Sequence, residues 1–284
     1  MGRLLFALAI AVSAAATLEA QADERVIYTS VVDKDGAPVL DLGTKDLIVR
    51  EDGQAREILS VAPDSDPLQI ALLVDNSVTM RPRLSQLRKA VAAFIESTRD
   101  DVQLALITLA ERPTILVGYT TDRAALRKAA ENMFAYEAAN YLLDGISETS
   151  QGLAKRTMWR SAIAVITGIG PEMSYRQYTE VLRFFREGGA SLHVLQVGSG
   201  IGAQGREIVI SKGTSETGGR FEEVLIPARI ELKARQLATE LSNQYRVTYA
   251  RPQRLIPPKK TEVSVRPQNL RVRSRVLTNE KDRQ

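Results

Sequence analysis

The chain has 284 residues, 44% of them hydrophobic and 25% charged, with a formal net charge of +4. That is ordinary globular composition, enough for one large domain or two smaller ones. There is no cysteine and a single histidine, His193, so thiol catalysis, thiolate zinc and iron–sulfur chemistry are excluded, and neither a Ser–His–Asp relay nor a histidine metal cluster is expected.

The first 22 residues stand apart. Gly2 and Arg3 give a short basic start, residues 4–16 are an almost unbroken apolar run, and the run closes on Ala20-Gln21-Ala22, a small-x-small pattern. The apolar core is too short to span a bilayer comfortably and no second long apolar run follows. Residues 1–22 read as a secretory signal cleaved near Ala22, the alternative being an uncleaved anchor helix. On the first reading the mature chain is exported, to the periplasm or outside the cell, with no transmembrane segment after cleavage. Without cysteine, an exported chain must rest on buried apolar area alone.

Residues 26–62 alternate and turn often. RVIYTSVV runs into Asp35-Gly36, and DLIVR runs through Glu51 into Asp52-Gly53, followed by AREILSV; Asp-Gly between β-rich runs signals hairpins. The polar, proline-containing APDSDP at 62–67 reads as a linker. The pattern then changes. LQIALLVD (68–75) is a continuous apolar strand of the kind buried on both faces of a parallel sheet. Pro82 opens a helix with an apolar stripe of Leu84, Leu87, Val91 and Phe94. VQLALITLA and PTILVGYT are further strands, Asp122 caps a helix bearing Leu126 and Met133, and Leu142, Leu143, Ile146 and Leu153 mark another. SAIAVIT is a buried strand. Ser174-x-x-Gln177 reads as a capping box for a helix ending at Gly188-Gly189. ASLHVLQV is a strand in which His193 reads as structural, and 228–243 is the last helix.

After Gln244 the β-pattern resumes in YRVTYAR, TEVSVRP and LRVRSRVL. Strands alternating with amphipathic helices predict an α/β fold, a doubly wound, mostly parallel sheet over 67–244. Residues 23–65 and 245–280 are expected to pair as one small all-β, sandwich-like domain, since neither end has enough strands for a sheet of its own. Residues 251–284 hold ten Lys/Arg against three Asp/Glu, but the charges alternate with valines. They read as the solvated face of strands, so no nucleic-acid partner is expected.

In open α/β sheets, ligands bind where strands end at a topological switch point. Those ends are Asp75–Thr79, 138–141 and 167–171. Asp75, Ser77 and Thr79 offer one carboxylate and two hydroxyls on a single turn, a half-shell suited to magnesium; Asp75 and Ser77 are equally good turn and cap residues.

Asp75-Asn76-Ser77-Val78-Thr79 resembles the Asp-x-Ser-x-Ser/Thr motif of von Willebrand factor type A domains, and the strand and helix order over about 68–200 is similar to theirs. The flanks VVDKDGAPVLDLGTKDLIVREDGQAREILSV and TGGRFEE…LATELSNQYRVTYARP look like the two sides of exported bacterial "VWFA-related" proteins. The resemblance implies a doubly wound fold and a divalent cation, Mg2+ or another, at a metal-ion-dependent adhesion site. It assigns Asp75, Ser77 and Thr79 to the first metal loop. Ala138-Ala139-Asn140-Tyr141-Leu142 aligns with a second loop that usually reads Gly-Gly-Thr-x-Leu, so Asn140 stands where the threonine would. The third loop usually continues Thr-Asp-Gly, but here it is Thr167-Gly168-Ile169-Gly170 and the aspartate is absent. Glu172 is the nearest carboxylate. One carboxylate in place of two weakens attraction for a dication.

Gly200-Ile201-Gly202-Ala203-Gln204-Gly205 fits G-x-G-x-x-G, but the glycine-interrupted, poorly amphipathic segment after it reads as a flexible loop, so no nucleotide is expected. Asp144 lies inside a helix pattern, where a structural bond explains it better than catalysis. The expected function is therefore a non-enzymatic binding module presenting the 75–80, 138–142 and 168–174 loops, with Met80, Tyr141, Gly168 and Glu172, to a protein partner whose identity the sequence does not give. The alternatives are a hydrolase in the same cleft, or a purely structural envelope protein.

Overall fold

A computed structural model describes residues 22–156, 160–253 and 256–276; the apolar start read as an export signal lies outside the described residues, apart from Ala22. In chain order the strands are β1 (Ala22–Val32), β2 (Leu47–Glu51), β3 (Gln54–Arg56), β4 (Ile58–Pro63), β5 (Leu68–Val74), β6 (Gln103–Thr108), β7 (Thr114–Thr120), β8 (Arg160–Gly168), β9 (Ser191–Val197), β10 (Phe221–Val224), β11 (Tyr245–Pro252), β12 (Thr261–Val265) and β13 (Arg271–Ser274). The helices are α1 (Leu84–Ser97), α2 (Arg123–Asn132), α3 (Leu142–Ala154), α4 (Tyr178–Gly188), α5 (Gln204–Thr217) and α6 (Ile230–Ser242).

The central sheet runs β10-β9-β8-β5-β6-β7 and is parallel except for the antiparallel edge strand β7. Every residue of β5 is buried, because successive side chains enter two different cores. Ile70, Leu72 and Val74 pack with Leu87 and Phe94 of α1, Leu126 of α2 and Leu237 of α6. Ala71 and Leu73 pack on the other side with Ile146 of α3, Phe185 of α4 and Val209 of α5. This is the α/β class expected from the sequence.

Two antiparallel sheets lie beside it, ordered β13-β1-β11-β4 and β12-β2-β3. The first joins the segments on either side of the α/β region directly, with Ala22–Thr29 of β1 in register with Tyr245–Pro252 of β11. Ile27, Val31, Val49, Val247 and Val263 fill the space between the sheets. Asp52 and Gly53, both with positive φ (48° and 84°), make the tight turn between β2 and β3. Buried Glu51 accepts from Arg56 Nε (2.9 Å), Arg251 Nε (2.8 Å) and the Tyr249 hydroxyl (2.8 Å).

Polar clamps tie these sheets to the α/β core. The segment read as a linker is only partly one: Ala62 and Pro63 finish β4, and Asp64 is buried in an ion pair with Arg160. The Arg160 guanidinium lies 4.9 Å from the ring centroid of Tyr28 on β1. Glu240 of α6, fully buried, accepts from Arg273 of β13 (2.7 Å) and Arg220 (3.3 Å).

Two local expectations fail. Gln177 does precede α4, but no side chain caps that helix, and Ser174 Oγ instead accepts from Asp144 N (3.0 Å). The segment after the glycine motif is a helix, α5. Its inward stripe is Arg206, Val209, Ile210, Gly213, Thr214 and Thr217, which has helical spacing but little hydrophobicity. Arg206 can be buried because its Nη1 and Nη2 donate to Gln196, Glu207 and Gly168 O, and Gly213 is small because a Cβ there would approach Leu192 Cδ2 to 2.7 Å.

His193 is completely buried on β9, with Nε2 2.9 Å from Ser191 Oγ. Burial first, then the charges of Arg273 and Arg220, push its pKa down to about 3. Below the ordinary value of 6.5 the unfolded chain binds a proton that the folded chain refuses, so stability falls with pH between 6.5 and about 3. Urea unfolding across that window should therefore show a shallower loss of stability for His193→Gln than for the unaltered protein.

Candidate functional site at the strand ends

The carboxyl ends of β5 and β8 bring three loops together around Asp75, which is completely buried. A buried carboxylate is tolerated only where hydrogen bonds replace its water. Asp75 Oδ1 accepts from Ser77 N (3.0 Å). Oδ2 accepts from Asn140 Nδ2, Thr167 Oγ1 and Gly168 N, each at 3.0 Å. Asn140 Nδ2 also donates to Thr167 Oγ1 at 3.0 Å. One carboxylate thus holds the loop after β5, the loop before α3 and the end of β8.

Backbone bonds complete the junction. Asn140 N donates to Pro171 O (3.2 Å) and Met173 N to Asn140 O (2.9 Å), while Val78 N donates to Ala138 O (3.0 Å). Asn76 spans two segments, accepting from Ala110 N and donating to Phe134 O, both at 3.0 Å.

Of the residues expected to meet a partner, Met80 and Gly168 are buried. Met80 belongs to the core beneath the loops, where an apolar side chain gains most. Gly168 is enclosed, since a Cβ there would come within 2.9 Å of both Met80 Sδ and Thr79 Cγ2. Glu172 is not turned toward Asp75. Its carboxylate accepts from Leu142 N (3.3 Å) at the start of α3 and from Ser174 N (3.1 Å). Burial raises its pKa, and those N–H groups pull it back. Tyr141 is half-buried, its ring 6.1 Å from that of Tyr175.

The exposed residues of these loops are others. Tyr175 is 84% exposed, Phe134 and Met173 56% each, and Val78 40%. Phe134 stacks obliquely on Tyr136 at 4.8 Å between ring centroids. Asp144 accepts from Tyr175 N (3.1 Å) and Arg176 N (2.9 Å), so it shapes the loop that carries Tyr175. A sequence signal for this face did exist: Phe134, Tyr136, Met173 and Tyr175 are large apolar or aromatic residues in segments with neither helical nor strand periodicity.

Three oxygens remain for a hard cation. Ser77 Oγ and Asn140 Oδ1 are buried and have no hydrogen-bond partner among the described residues. Thr79, half-buried, lies against the backbone of Gly170, where a Cβ would overlap its hydroxyl. Their chemistry suits Mg2+, but all three are neutral, and both oxygens of Asp75 already accept hydrogen bonds. The residues therefore fit a weakly held cation, because the ion would give up hydration for little opposing charge.

The position of the absent third-loop aspartate is backed by a cation instead. Arg206 Nη2 donates to Gly168 O (3.1 Å), and Nη1 donates to Gln196 Oε1 (2.8 Å) and Glu207 Oε1 (2.6 Å). Glu207 Oε1 also accepts from Gly202 N (3.0 Å). The glycine motif at the start of α5, where a nucleotide phosphate would sit, is thus met by the chain's own carboxylate.

Residues 70–171 match the sequence family described as the von Willebrand factor type A domain. The fold is similar to that of a von Willebrand factor type A protein from Catenulispora acidiphila, with a TM-score of 0.52, 9% identity, and coverage of 92% of this chain and 75% of that one. It is also similar to proximal thread matrix protein 1 from the mussel byssus, with a TM-score of 0.51, 14% identity, and coverage of 72% and 50%. At such identities the likeness is one of fold. A comparison with curated proteins finds no match. Matched family, strand order and first-loop motif agree: residues 70–171 lie in a domain with the von Willebrand factor type A fold.

Proposed function

We propose that the chain is an exported, non-enzymatic binding module that presents its strand-end loops to a protein partner. The observation that carries this reading is the Asp75 junction, which fixes three loops so that Val78, Phe134, Met173 and Tyr175 stand exposed on neighbouring turns. Large aromatic side chains held on a rigid scaffold are what protein interfaces use as anchors. The carboxylates that a hydrolase would need support the same reading, because Asp75, Asp144 and Glu172 each accept backbone N–H bonds that hold loops in place.

A divalent cation such as Mg2+ is an accessory in this proposal. Ser77, Asn140 and Thr79 would hold it, Asp75 would supply the nearest negative charge, and the bound ion would offer a partner's acidic group a positive contact.

Affinity capture from envelope extract tests the partner. The unaltered protein should retain a specific protein that Phe134→Ser/Tyr175→Ser, with an unchanged Tm, does not; capture indifferent to both substitutions would contradict the proposal. For the cation, thermal unfolding should shift with Mg2+ or Mn2+ only at concentrations on the order of millimolar, a range found in weak extracellular sites, and Ser77→Ala should abolish the shift.

A further inference from the structure

The central sheet ends on β7, whose only strand neighbour among the described residues is β6. Among the described residues no backbone group of residues 114–120 bonds to any other segment. An open edge of this kind is a template for another strand, and proteins usually blunt such edges with charge or proline. The other edges here follow that rule: β10 carries Glu222 and Glu223, β13 carries Arg271 and Arg273, β12 has Glu262, β3 has Arg56, and β4 ends on Pro63. β7 does not. Its sequence, TILVGYT, has neither charge nor proline, and Ile115 and Leu116 are 67% and 40% exposed. The register shifts against β6 are the milder safeguard of a bulge, which leaves the strand without charge or proline.

We propose that two copies of this chain join edge to edge through β7, antiparallel about a two-fold axis at Val117, so that two six-stranded sheets become one. A second copy is the occupant that the charges select. In an antiparallel self-pairing any charge near the axis would meet its own kind, and β7 has none. Beyond the strand, at this register, Arg112 comes opposite Asp122 of the second copy, opposite in sign, and both residues are exposed. Within it, Leu116 comes opposite Gly118, which leaves room for the leucine, and Ile115 opposite Tyr119.

Sedimentation equilibrium of the purified protein over a range of concentrations tests this. The unaltered chain should show a monomer–dimer equilibrium. Leu116→Lys should sediment as a monomer where the unaltered chain is dimeric, and Leu232→Lys, at a comparably exposed leucine on α6, should leave the dimer intact. If Leu116→Lys does not fold, Arg112→Asp decides, because it sets like charges at the strand ends and should weaken the dimer. A monomer at every concentration, or a dimer indifferent to the β7 substitutions, would overturn the proposal.

Discussion

The arrangement of the loop face depends on one buried carboxylate. Asp75 has no contact with solvent and takes four hydrogen bonds, from Ser77 N, Asn140 Nδ2, Thr167 Oγ1 and Gly168 N. Its donors come from three segments far apart in sequence. An unpaired buried donor costs roughly 1–3 kcal/mol, so loosening any one loop penalises the others. The junction therefore behaves as a unit, and the exposed aromatics beyond it inherit its rigidity.

The same logic recurs away from the site. Glu51 inside the small β-sandwich and Glu240 at its seam with the α/β core are buried carboxylates met by arginines. Arg206 is the converse, a buried cation met by Gln196, Glu207 and a backbone oxygen. Buried charge of this kind is tolerated because it is paired and hydrogen-bonded, and it prescribes which segments must meet. That helps explain how a chain without disulfides holds the segments before and after its α/β region together.

The strands and most helices were legible because their apolar periodicity is strong: β5 is apolar but for Gln69, Asp122 caps α2 through Ala125 N, and Gly189, with a φ of 75°, ends α4. Helix α5 was illegible because its inward stripe uses Arg206, Gly213 and two threonines, which no hydropathy pattern counts as core. At the site the first loop could be read, since Asp75-x-Ser77-x-Thr79 is local. The role of Glu172 could not, because the N–H it caps belongs to Leu142, thirty residues earlier in the chain. Met80 looked like a loop residue for a similar reason: its position is set by packing across the sheet end, which local sequence does not encode.

Hydrogen bonds to Asp75, rather than a bound ion, assemble the loop face. Amide hydrogen exchange in the presence of EDTA measures this directly, read at Ser77 and Gly168, whose N–H groups donate to the carboxylate. Both amides should exchange slowly, at rates nearly unchanged when millimolar Mg2+ replaces EDTA. Fast exchange in EDTA that becomes slow only with Mg2+ would contradict it.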